Sequence, residues 1–115
     1  MAKFLKGFIY AGKGIAYTLG TQLNFRLQLI ATLIVVLLGL FFKLSVLEWV
    51  AVLICIGIVL ALELINTSIE LLVNKISPEY DPIAGKIKDV AAGAVLVASI
   101  SSFIVALLIF VPKFF

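Results

Sequence analysis

The chain has 115 residues, 64% of them hydrophobic and only 13% charged, with a formal net charge of +3. That composition excludes disorder and argues against an ordinary soluble domain, because so little polar surface could not cover a globule in water. With no histidine and one cysteine, Cys55, the chain has no imidazole catalysis, no His-based metal site and no intrachain disulfide.

Residues 3–19 read as a helix lying on a membrane surface. Phe4, Leu5, Phe8, Ile9, Ile15, Ala16 and Leu19 recur at helical spacing, while Lys3, Lys6, Tyr10, Lys13 and Tyr17 take the other side. Basic residues opposite an apolar stripe are the pattern of an interfacial helix. The opening residues lack the continuous apolar run of a cleavable signal peptide, and Lys13 interrupts them. Gly20-Thr21 is expected to end this helix.

Uncharged runs follow at 27–42, 49–62 and 90–112. The last is long enough to cross a hydrocarbon core of roughly 30 Å, and the first two become so if their polar ends lie among headgroups or against protein. The expectation is an all-α integral-membrane chain, one domain over 1–115: a surface helix at 3–19 and spans at about 25–42, 47–73 and 84–111. Lys43-Leu44-Ser45 makes the first connection. Ser77-Pro78-Glu79-Tyr80-Asp81-Pro82 makes the second, its prolines stopping one helix and starting the next. Lys3, Lys6, Lys13 and Arg26 precede span one, and Lys75, Lys86 and Lys88 lie between spans two and three, against Lys43 and Lys113 elsewhere. The positive-inside rule then places the N-terminus and the 74–89 connection in the cytoplasm and the C-terminus outside a bacterial plasma membrane. Ala91, Ala92, Gly93, Ala94 and Ala98 give span three a small-residue face, open to packing within or between subunits.

The chemistry collects on span two. Glu63, Asn66, Glu70 and Asn74 fall within about 80° of one another on a helix turning 100° per residue, among Leu, Ile and Val. A charged side chain near the bilayer centre costs about 2.5–3.5 kcal/mol even on insertion scales, so two in one stripe point to use rather than packing. Glu79, Asp81, Lys86, Lys88 and Asp89 follow at the same membrane edge. Carboxylate and amide oxygens suit Mg²⁺, lysines suit phosphates, and a carboxylate half in lipid suits a general base toward a lipid hydroxyl. This points to phosphoryl transfer at the interface. A glycine-rich GxxxxGK[ST] loop is missing, so a P-loop kinase is excluded.

Ala61-Leu-Glu63-Leu-Ile-Asn66-Thr67-Ser68-Ile-Glu70 resembles the signature of the small prokaryotic diacylglycerol kinase family. Asn24-Phe25-Arg26, Ser77-Pro-Glu79-Tyr80 and Lys88-Asp89-Val-Ala-Ala-Gly93 resemble its other recurring segments, and the likeness covers essentially the whole chain. The Asn-Phe-Arg and Ser-Pro-Glu-Tyr segments and the Val-Pro-Lys ending look like its Gram-positive branch, whose members act mainly as undecaprenol kinases. The resemblance implies a homotrimer with active sites shared between subunits, ATP and Mg²⁺, direct transfer to a lipid alcohol, and no nucleic-acid partner. It makes Glu63 the catalytic base and Glu70 a metal ligand, with Gln22 at a second metal position. It assigns Asn66, Lys88, Asp89, Lys6 and Tyr10 to the nucleotide, with Asn74 and Glu79 at the site edge.

The chain also departs from that pattern. Gln22 stands where Glu is usual, Asn74 where Asp is usual and Asp81 where His is common. The first two swaps remove charge, which leaves three possibilities: a kinase with a weaker metal site, an altered variant, or a non-catalytic lipid-binding relative. Diacylglycerol is the alternative lipid. A small proton-coupled exporter is the rival from another class; it normally needs four spans, where this chain offers three.

Overall fold

The computed structural model describes residues 1–115 as four helices: α1 (Ala2–Thr21), α2 (Leu23–Phe41), α3 (Val46–Ile76) and α4 (Pro82–Phe114). The last three are long and apolar enough to cross a membrane. Only 13 of the 115 residues are buried within the chain, so most of its apolar surface is left for lipid or for other subunits.

Gly20-Thr21 does not end α1. The helix runs through both, and the corner is the single extended residue Gln22, whose backbone N–H donates to the Thr18 carbonyl. Thr18 and Thr21 turn their hydroxyls back onto the carbonyls of Gly14 and Tyr17, which spares them a polar group facing oil. Arg26, one turn into α2, reaches back with Nη1 to the Leu19 and Gly20 carbonyls, both at 3.4 Å. A guanidinium on the last carbonyls of a helix satisfies orphan acceptors and complements the helix dipole. Phe25 fills the inside of this corner at 2% exposure.

α2 ends in a Schellman motif: the Leu44 N–H donates to the Gly39 carbonyl and the Lys43 N–H to that of Leu40. Lys43 takes the left-handed position at φ 53°, where glycine is the usual residue. Ser45 then starts α3 with a capping box, its hydroxyl accepting from the Glu48 N–H while the Glu48 carboxylate accepts from the Ser45 N–H. The Trp49 ring lies so close to Gly39 that a Cβ there would sit 2.6 Å from it. Phe42, Leu44, Val52 and Phe110 join the three long helices at this end.

α3 and α4 form the most extensive packing in the chain, antiparallel, while α2 lies along α3 and α1 touches α2 and α3. Two polar contacts fix the α3–α4 register. Lys113 pairs with Glu48 at 3.1 Å at one end, and Lys88 donates to the Asn74 side chain at the other. The spacing is 26 residues on α3 and 25 on α4, so the helices keep step. Ala91, Val95 and Ala98, all buried, therefore lie level with Glu70, Asn66 and Glu63. Part of the small-residue face is thus spent inside the chain; Ala92 and Ala94 face outward.

The helices outrun the expected spans. α3 has 31 residues rather than 27 and α4 33 rather than 28, because polar ends do not stop a helix once it leaves the hydrocarbon. α4 begins with Pro82 at its first turn, and Asp81 is its N-cap, accepting from the Ala84 N–H at 2.9 Å. Asp81 thus has a structural role at the start of α4. α4 also continues through Pro112, which offers no N–H to the Leu108 carbonyl one turn earlier.

Candidate active site

Depth along α3 separates the two glutamates. At 1.5 Å per residue, Glu63 lies about 22 Å and Glu70 about 33 Å from Glu48. A hydrocarbon core of roughly 30 Å measured from Glu48 and Trp49 would enclose Glu63 and end near Glu70.

Glu63 is 3% exposed, and its carboxylate takes no hydrogen bond from the chain. Its neighbour one turn on, Thr67, is 4% exposed and donates to the Glu63 backbone carbonyl at 3.0 Å, so the side chain stays free. Its oxygens are not among the side-chain atoms sealed from the surface, so an otherwise covered side chain presents a carboxylate that the fold does not engage, which marks it as a chemical group. Asn66 donates through Nδ2 to Glu70 Oε1 at 3.4 Å. Its own Oδ1 is buried and receives no donor. The amide therefore steers the Glu70 carboxylate and leaves a second, unsatisfied oxygen beside it.

Lys88 crosses from α4 to Asn74 and holds a cation at the membrane edge one turn beyond Glu70. α1 runs beside the stripe: Ala11, Gly14, Ile15 and Thr18 line a groove of about 340 Å³ with Leu64, Thr67, Ser68 and Leu71. The small row on α1 allows that approach. Thr67 stands between this groove and Glu63.

The remaining sequence-predicted residues are not drawn into this cluster by the single chain. Lys6 and Tyr10 lie exposed on α1, Tyr10 with its ring 6.0 Å from the Lys13 ammonium. Gln22 sits half-buried at the α1–α2 corner, Asp89 is exposed beside Lys88, and Glu79 is exposed in the connection, where its carbonyl accepts from Ser77. No three acidic or cysteine side chains gather within one chain. Sequence reasoning missed two polar features of the helix packing. Gln28 donates to Ser99 across α2 and α4 at 3.3 Å, and Thr18 packs beneath α1. Gln28 carried a signal, as an amide inside an apolar run; Thr18 carried none.

Residues 9–110 match the model of the family described as "Prokaryotic diacylglycerol kinase". The chain belongs to that family. The undecaprenol kinase of Bacillus subtilis strain 168 is 42% identical over 96% of this chain and 90% of its own length. A diacylglycerol kinase of Synechocystis is 33% identical over 94% of this chain and 62% of its own length. That of Escherichia coli K12 is 28% identical over 85% and 80%. The family is one of membrane lipid kinases, and four helices, three able to cross a bilayer, fit it.

Proposed function

We propose that this chain is an integral-membrane lipid kinase that transfers the γ-phosphoryl group of MgATP to the terminal hydroxyl of a polyprenol, with undecaprenol the preferred substrate. The observation that carries this reading is the partnerless Glu63 carboxylate on the same helical face as the Asn66–Glu70 pair and one to two turns from it, the first in oil and the second at the boundary. A membrane-dissolved alcohol and a water-soluble nucleotide meet only across that depth. Similarity to an undecaprenol kinase over nearly the full length favours the polyprenol.

Glu63 removes the proton from the lipid hydroxyl as its oxygen attacks the γ-phosphorus; the bond to the β-phosphate oxygen breaks and ADP leaves with that electron pair. Lys88, already placed at the edge, offsets charge on the transferring oxygens. Asn66 and Glu70 fit a magnesium ion by donor chemistry, since they offer a carboxylate and a buried amide oxygen without a donor. When bound, the ion neutralises charge on the triphosphate. Gln22 would add a neutral oxygen, so the metal site is weak.

Lys6, Tyr10 and Gln22 belong to the nucleotide side of the site in this reading, although they lie apart from the Glu63 stripe in one chain. A homotrimer with shared sites would supply them from a neighbour and cover the exposed apolar faces. The N-terminus and the 77–81 connection lie in the cytoplasm, where ATP is. The test is purified protein in mixed micelles with radiolabelled ATP, Mg²⁺ and either undecaprenol or diacylglycerol. Label in undecaprenol supports the reading, and label in diacylglycerol alone changes the substrate. Label in neither, with folded protein, makes the chain a non-catalytic binder.

A further inference from the structure

α2 and α4 both pack on α3 but not on each other, and they meet through side chains at Gln28–Ser99 and around Phe42. Between those two points lies a cavity of about 220 Å³. Its α3 wall includes Val52 and Val59, which stand 11 and 4 residues before Glu63 and share its helical face to within about 40°. Its upper limit is the Gln28–Ser99 bridge, and Ser99 is level with Glu63 by the α3–α4 register. The slot therefore runs through the oil directly below the free carboxylate. Thr32 turns its hydroxyl onto the Gln28 carbonyl at 2.8 Å, so the wall beneath the bridge is mostly methyl and methylene groups, with the Ser102 hydroxyl and the Cys55 thiol as its polar points.

We propose that this slot seats the hydrocarbon next to the hydroxyl of the lipid alcohol, and so selects the first isoprene unit of a polyprenol rather than its tail length. This inference rests on the lipid-kinase reading of Glu63. The volume holds on the order of seven water-sized groups, at about 30 Å³ each. That suits one branched five-carbon unit with part of the next. It does not suit a glycerol backbone bearing two ester-linked chains. The slot is a side opening between helices, so the rest of a long tail lies in the bilayer and makes no further demand.

Two measurements test this. First, kinase assays in mixed micelles compare wild type with Ser102→Leu and Ala106→Leu, which fill the slot from α4. The lipid KM should rise about tenfold or more in the filled variants while the KM for ATP stays within about twofold. A prenol of two isoprene units should match undecaprenol in kcat/KM at equal surface fraction. An unchanged lipid KM in folded, filled protein overturns the inference, as does a kcat/KM that climbs steadily with tail length. Second, Cys55 lines the slot and is the sole thiol, so it reports occupancy without turnover. In Glu63→Gln protein, reaction of Cys55 with 4,4′-dithiodipyridine should slow several-fold when the two-unit prenol is added and not when diacylglycerol is. Equal rates with and without prenol, or a thiol inert in both, overturn the inference. Wild-type protein that phosphorylates no lipid refutes the kinase reading instead, and the thiol rates then decide the slot alone.

Discussion

Replacing Glu63 by Gln keeps the shape of the side chain and removes its ability to take a proton. General-base assistance contributes about 10²–10⁴-fold, so kcat should fall by that factor, equivalent to about 2.7–5.5 kcal/mol of barrier. Stability should move the other way or not at all. The carboxylate has no partner in the fold, so an amide loses no hydrogen bond and sheds the burden of a charge in oil. Glu63→Asp sharpens the test, because it keeps the charge and withdraws it by about one methylene. A misplacement of about 1 Å can cost on the order of 10²-fold, so the Asp variant should also be poorly active. The assay is phosphoryl transfer to undecaprenol at saturating MgATP, alongside thermal unfolding in the same detergent. Activity of folded Glu63→Gln protein within about threefold of wild type would refute the assignment of Glu63 as base, because assistance of that kind is worth far more.

Three further outcomes follow from other parts of the structure. Gln22→Glu should restore a charged oxygen to the metal position and lower the Mg²⁺ concentration for half-maximal activity about tenfold, roughly one favourable charge contact; a Mg²⁺ titration of initial rates would expose an unchanged midpoint. Lys43→Gly should stabilise the protein by about 1 kcal/mol, because glycine adopts the left-handed conformation at the α2 terminus without a Cβ penalty, and a raised unfolding temperature is the readout. Gly39→Val should destabilise by about 1–3 kcal/mol, since even its Cβ would collide with the Trp49 ring, and unfolding in detergent should show it while the KM for ATP holds.

Some of this molecule is local information and some is not. Three apolar runs set three helices able to cross a membrane, because a backbone in oil must satisfy itself and a helix does so within one segment. The three- and four-residue spacing of Glu63, Asn66, Glu70 and Asn74 sets one polar face, because helical phase depends on nothing outside the helix. The small-residue run on α4 was readable as a packing face, but its partner was not. Only the fold sets Ala91, Val95 and Ala98 against the Glu63 stripe, since helix pairing joins residues far apart in the chain. The same holds for Lys88 on Asn74, for Lys113 on Glu48, and for the slot closed by Gln28 and Ser99. Helix ends were the least legible feature. Gly20-Thr21 looks like a stop, but nothing in the dipeptide says that Arg26 will cap the carbonyls before it and Phe25 will fill the bend. Sequence alone determined which groups sit in the long apolar helices and on which face of their own helix. Tertiary structure decided which neighbour each face meets, and so which carboxylate is left without a partner.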